Sequence, residues 1–222
     1  MGPRARRRAA GQHAASIMKL EMQPASAHAA AARLVAEADF PTRWGPFRIL
    51  GFELDGETAV VLRAPGRTRA APLVRIHSQC LTGDVFGSLR CDCRQQLELA
   101  LQMIAAEGEG LLIYEDKEGR GIGLMNKLLA YQLQDRGADT VEANEQLGFA
   151  ADHRDFALPA AILRALGIGA VRLLSNNPDK IAALERAGIR VVERVPCAPE
   201  PASDFAREYL RVKKEKLGHL GG

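Results

Sequence analysis

Apolar positions along this 222-residue chain change period several times, and each change marks an element. Two runs rich in apolar and β-branched residues, near 47–53 and 58–63, flank Asp55-Gly56, a pair that favours a tight hairpin. Residues 73–76 predict a short strand. Beyond it the spacing becomes three and four: Leu97, Leu101 and Ile104, with Ala100 and Ala105, form one helical face that Gly108 and Gly110 stop. "LLIYE" (111–115) reads as a buried strand, "KEGRGIG" (117–123) as a glycine-rich loop, and 124–136 as a helix closed by Gly137. "VRLLS" (171–175) is a further strand, Asn176-Asn177-Pro178 begins a helix over 178–187, Gly188 ends it, and "IRVVERV" is another strand. The Ala-rich segment 23–38 predicts a short helix. Residues 203–217 predict an amphipathic helix whose Lys-rich end suits the negative pole of its dipole.

Strand, helix, strand, helix from 111 to 195 argues for an α/β unit, to which the hairpin adds strands of its own. The expected fold is therefore mixed α/β, of the α+β kind. It has a mixed sheet with flanking helices, an N-terminal β-hairpin region, and any metal site at a strand or loop end. No internal repeat is visible.

Composition narrows the class without choosing a chemistry. Apolar and charged fractions of 47% and 26% are those of a globular protein with room for a substantial core, and no apolar run approaches a bilayer span. The net charge of +3 is uneven: residues 1–20 hold five basic residues and no acid, leaving 25 basic against 27 acidic residues elsewhere. A nucleic-acid footprint needs a basic face on the folded domain, so neither nucleic acid nor membrane is expected as a partner. The start lacks the apolar core of a signal peptide. Residues 1–38 are read as a disordered basic and Ala-rich extension, with Met18 and Met22 as alternative starts, and the product as cytoplasmic.

Three of the four cysteines fall in "RIHSQCLTGDVFGSLRCDC" (75–93), at Cys80, Cys91 and Cys93. Such clustering in a chain with no secretory signal favours a metal over disulfides. The spacing lacks the paired knuckles of zinc fingers. The fourth ligand is open among Cys197, His77 and solvent: protein would close the site, whereas solvent would leave a water whose pKa zinc lowers to about 7. The bland reading, a reduced buried thiol, suits Cys197 better than the cluster. The loop "EGRGIG" follows a strand and precedes a helix, where free N–H groups meet anions, yet it lacks a Walker lysine and could be an ordinary turn. Asp152, His153, Arg154 and Asp155 fit a solvent-exposed helix start or an acid/base and cation delivered into a pocket. Tyr131 by itself would be a core aromatic with its hydroxyl at the surface.

Taken together, "RIHSQCLTGDVFGSLRCDC", "EGRGIGLMNKLLAYQLQDRGADTVEANEQLGFAADHRDF", "LLSNNPDKI", "GIRVVERVP" and the C-terminal "KKEKLGHL" resemble GTP cyclohydrolase II, in unbroken order from about Phe40 to Leu220. The resemblance implies a single catalytic domain over 39–220. It implies one zinc per subunit on Cys80, Cys91 and Cys93 with water in the fourth place, leaving Cys197 without a role. Magnesium is implied at the triphosphate, and a homodimer. The implied reaction opens riboflavin biosynthesis: GTP loses pyrophosphate and is hydrolysed twice at C8 of the purine, losing formate. The product is 2,5-diamino-6-ribosylamino-4(3H)-pyrimidinone 5′-phosphate.

Residue by residue, Arg75, Ile76, His77, Ser78 and Gln79 resemble the segment lining the GTP site, and Gln96 the residue that reads the guanine edge. Glu118, Gly119 and Arg120 match the loop over the nucleotide. Thr140, Ser175 and Lys180 match further contacts. Asp152 corresponds to the proton acceptor, Arg154 to a nucleophile toward the α-phosphorus, and Tyr131 to a tyrosine beside the activated water. A guanidinium stays protonated, so charge stabilisation at the phosphate is the competing role for Arg154.

Three positions depart from the family pattern: Gln79 stands for the usual Glu, Arg94 for Gly and Lys117 for Gln. The nearest rival is a one-step relative that opens the ring and retains the formyl group, against which Tyr131 argues. A zinc-stabilised binding module is the rival from another class. The length is too short for an added synthase domain, so a fusion is not expected.

Overall fold

The computed structural model describes residues 31–67, 69–149, 154–199 and 203–217. A seven-stranded sheet in the order β1-β2-β3-β5-β4-β6-β7 organises them. β1 (Arg33–Thr42), β2 (Gly45–Leu54) and β3 (Glu57–Arg63) pair antiparallel. Asp55 and Gly56 both take positive φ, 50° and 85°, which matches the strand twist across a two-residue turn. β4 (Leu73–Ser78), β5 (Leu111–Glu115), β6 (Ala170–Leu174) and β7 (Arg190–Val195) run parallel, and β3 joins β5 antiparallel to fuse the two halves.

Six helices accompany the strands among the described residues: α1 (Cys93–Glu107), α2 (Leu124–Gln134), α3 (Thr140–Gln146), α4 (Ala157–Ala165), α5 (Pro178–Arg186) and α6 (Asp204–Leu217). The mixed sheet with flanking helices agrees with the sequence pattern. β4, β5 and β6 are largely buried because both faces of the sheet are covered, and their sequences are mostly apolar for that reason. Val74, Ile76, Ile113 and Leu173 meet Leu158 and Ile162 of α4 and Leu184 of α5. On the other face, Leu73, Leu112 and Leu174 meet Ala100, Leu101 and Ile104 of α1.

One expected element is corrected. Residues 33–38, expected as the end of an Ala-rich helix, lie in β1; residues 23–30 of that helix fall outside the described residues. Helix propensity, even alanine's, is a small term per residue, and pairing with β2 overrides it. The ladder runs from Arg33↔Glu53 to Thr42↔Gly45, and Arg48 bridges Glu37 and Asp39 across it. The sheet thus begins inside the segment read as an extension. Two helices had no counterpart in the apolar spacing, although 152–155 had offered a helix start just before α4. α4 is buried from Leu158 to Leu163, so it has no polar stripe to read, and α3 spans only seven residues.

Candidate metal centre and adjoining cleft

The C-terminal ends of β4, β5 and β6 open side by side, the edge where open α/β sheets bind ligands. Past β4 the chain enters a short π-helical turn, Leu81–Val85, which returns it toward the start of α1. The Sγ atoms of Cys80, Cys91 and Cys93 thereby lie within 4.8 Å of one another, with Cys80 and Cys91 at 3.7 Å. All three are free thiols, too far apart for a disulfide and close enough to share one ion. Gly83 permits the cluster. A Cβ there would stand 2.8 Å from Cys91 Sγ and 3.1 Å from Cys80 Sγ, so only glycine lets the turn lie against the sulfurs.

Crowded thiols compete for one negative charge. S–H donation from Cys91 and Cys93, with Lys127 nearby, draws the Cys80 thiol far below its ordinary value, while contact with Cys80 pushes Cys91 up to about 11. A thiophilic dication such as zinc fits this donor set. Among the described residues no further Cys, His, Asp or Glu joins the group. Cys197 is buried elsewhere, its Sγ donating to the Gln96 carbonyl at 3.6 Å.

Two carboxylates hold the turn. Asp84 accepts from the Cys80 N–H at 3.0 Å and the Tyr114 hydroxyl at 2.9 Å, and both its oxygens lie 3.1 Å from His77 Nε2. Burial lowers the His77 pKa and keeps the ring neutral. Since a carboxylate only accepts, the proton sits on Nε2 and Nδ1 is a bare acceptor, buried without a partner. Glu118, from the loop after β5, accepts from the Leu81 N–H at 2.6 Å, the Gly119 N–H at 2.9 Å and Lys127 Nζ at 2.7 Å. Tyr131 on α2 meets Thr82 Oγ1 at 3.2 Å and lies under the Arg90 guanidinium. Burial raises its pKa, so the phenol keeps its proton.

Beside the cysteines lies an open cleft. Arg75 donates to the Leu174 carbonyl at 3.0 Å and to Gln96 Oε1 at 2.5 Å, and the Gln96 amide nitrogen donates to Asp92. His77, Ser78 and Gln79 continue this wall. Gly119 and Arg120 form a tight left-handed turn, φ 60° and 61°, and Arg120 Nη2 meets the Tyr209 hydroxyl of α6 at 3.4 Å. Thr140 enters where Asp139 caps α3, and Ser175 where β6 leads into α5. Lys180 Nζ donates to the Ile76 carbonyl at 2.7 Å. Arg154 Nη1 reaches Ser78 Oγ at 3.1 Å, and that hydroxyl donates to buried Glu115 at 2.8 Å.

The structure thus gathers most of the expected site residues around one cleft. Ile76 differs: its side chain is in the core under α4, because alternate β4 residues face opposite ways, and only its carbonyl serves the site. Asp152 and His153 lie outside the described residues. Of the departures, Gln79 lines the cleft, Arg94 pairs along α1 with Glu98 at 3.1 Å, and Lys117 pairs with Glu57. Sequence reasoning missed Gly83, Asp84, Glu115, Lys127 and Tyr209. Lys127 stands four residues before Tyr131 and so shares its helix face, a signal that was available. Gly83 and Asp84 lie inside the cysteine segment with no pattern to single them out, and nothing in the sequence pointed Tyr209 or Glu115 at the cleft.

A family model described as GTP cyclohydrolase II matches residues 32–196. The riboflavin biosynthesis protein RibBA of Aquifex aeolicus is 55% identical over 190 residues, 84% of this chain and 47% of its own. Riboflavin biosynthesis protein VVA0006 of Vibrio vulnificus is 52% identical over 85% of this chain and 52% of its own. GTP cyclohydrolase-2 of Shigella boydii is 54% identical over 84% of this chain and 96% of its own. The chain spans about half the length of the first two and nearly all of the third.

Proposed function

The chain belongs to the GTP cyclohydrolase II family, and on that premise we propose that it converts GTP to 2,5-diamino-6-ribosylamino-4(3H)-pyrimidinone 5′-phosphate with release of pyrophosphate and formate, as the first step of riboflavin biosynthesis. The observation that carries the reading is the cluster of three free thiols, joined by no further protein ligand among the described residues, beside a cleft walled by Arg75, Gln96, Arg120 and Lys180. Cys80, Cys91 and Cys93 would hold a zinc ion, and the chemistry it would supply is activation of water at neutral pH.

The rest falls to side chains. Gln96 spends one lone pair on Arg75 and one N–H on Asp92, which leaves one acceptor and one donor. That pair complements the N1–H and O6 edge of guanine. Tyr131 keeps its proton and can give it to an atom that gains negative charge as the ring opens. Arg120, Arg154 and Lys180 supply positive charge for the triphosphate, with Thr140, Ser175 and the Gly119 backbone as neutral contacts and magnesium as the accompanying ion. Arg154 acts through charge, because a protonated guanidinium is a poor nucleophile. Glu118 serves the site indirectly, since both its oxygens are committed within the protein. Asp152 is retained as the proton acceptor. The single catalytic domain expected over 39–220 begins in this reading with β1 at Arg33, and the enzyme is a cytoplasmic homodimer whose partner is GTP and neither nucleic acid nor membrane.

The test is incubation of the purified chain with GTP, zinc and magnesium while pyrophosphate, formate and the pyrimidine chromophore are followed together. One equivalent of each per GTP is expected. Formate below one equivalent would select the one-step ring-opening reaction, and zinc binding without turnover would select a binding module.

A further inference from the structure

Lys127 touches three parts of the site at once. Its Nζ lies 3.1 Å from Cys80 Sγ, 2.7 Å from Glu118 Oε1 and 5.8 Å from the centre of the Tyr131 ring. Only 13% of its side chain is exposed, against 7% for Glu118. A lysine gives up water at such a site only where anionic partners replace it. Here they are a carboxylate and a sulfur.

The donor set gives this contact its meaning. Three thiolates around a dication leave the centre with one excess negative charge and, as strong electron donors, blunt its power to polarise a fourth ligand. An N–H···S bond withdraws part of that donation, and a neighbouring ammonium offsets the excess charge. Glu118 keeps the two in register. It grips Lys127 with one oxygen and, with the other, the Leu81 N–H beside Cys80, so ammonium and sulfur are tied through one carboxylate.

We propose that Lys127 is a positioning residue of the metal centre, one that hydrogen-bonds the Cys80 thiolate to strengthen binding of the dication and to keep a three-thiolate site electrophilic. The inference rests on the zinc reading above. It assigns Lys127 to the metal and not to the substrate phosphates, because its ammonium is already shared between sulfur and carboxylate.

The experiment uses the full chain as wild type, Lys127→Met, Lys127→Gln and Lys127→Arg, each loaded with Co²⁺ in place of zinc. Two quantities are read: the sulfur-to-cobalt charge-transfer band, and zinc affinity by competition with a chromophoric chelator. A hydrogen bond stabilises the sulfur lone pair, so its loss moves the band to longer wavelength. Lys127→Met is expected to show that shift together with a loss of zinc affinity of about tenfold or more, and Lys127→Arg to restore most of both. Lys127→Gln keeps a donor for Glu118 without the charge; it is expected to follow Lys127→Met and replaces it if that variant does not fold. An unmoved band with unchanged zinc affinity overturns the proposal, even if the melting temperature falls, because a purely structural lysine would do that. Failure of the wild type to bind either ion overturns the zinc reading and this inference with it.

Discussion

A methyl group at position 83 would stand 2.8 Å from Cys91 Sγ, inside any separation that carbon and sulfur tolerate. Gly83→Ala must therefore push the turn off the sulfurs, and zinc content measured on the purified protein is expected to fall from one per chain to a small fraction. Glu115 poses the opposite case, a side chain with too few partners. One of its oxygens takes the Ser78 hydroxyl and the other is buried with none. Burial raises its pKa above the usual carboxylate range. Between the unfolded and folded values the native state therefore binds more protons than the unfolded chain, so stability falls as pH rises through that window. Glu115→Gln keeps an acceptor for Ser78 and abolishes the titration. Its gain in melting temperature over wild type is expected to grow as pH rises from the unfolded value through the raised folded value, and a gain independent of pH would contradict the assignment. Neither role was legible in the sequence: nothing singled out Gly83 within the cysteine segment, and Glu115 read as the last residue of a strand.

Helix α3 shows an element acting on the site through its start. Asp139 accepts from the Val141 and Glu142 N–H groups at 2.8 and 3.0 Å, and the Glu142 side chain accepts from the Asp139 N–H at 3.1 Å. This reciprocal box begins a helix of only seven residues, too short to be stable alone, that brings Thr140 and Asn144 to the cleft. Asp139→Ala is expected to cost about 1 kcal/mol in urea unfolding. It should also raise KM for GTP more than it lowers kcat, because the loss reaches the substrate wall and leaves the thiols in place. The Asp-x-x-Glu signal was present in the sequence and could have marked α3. Helix α4 offered only the polar start at 152–155, where Asp155 accepts from the Ala157 N–H at 3.1 Å, since a helix buried on all sides has no polar face.

Across the whole molecule, the antiparallel strands β1–β3 extend a sheet whose parallel half carries the site, joined where β3 pairs with β5. The family match begins at residue 32, one residue before β1, so removing residues 1–30 is expected to leave melting temperature and zinc content unchanged. A large loss of either would place part of the folded unit before β1. The sequence by itself determined most of the alternation of strands and helices after β1, the hairpin at Asp55-Gly56, and the three thiols as a candidate metal-binding set. Those features depend on local period, turn chemistry and donor identity, which neighbouring residues carry. Tertiary structure alone decided that Arg75 orients Gln96, that Glu118 ties two loops together and that Lys127 meets Cys80. These pairs stand 21, 37 and 47 positions apart along the chain. They meet because parallel strands end at one edge of the sheet, and no local pattern records which loops that edge brings together.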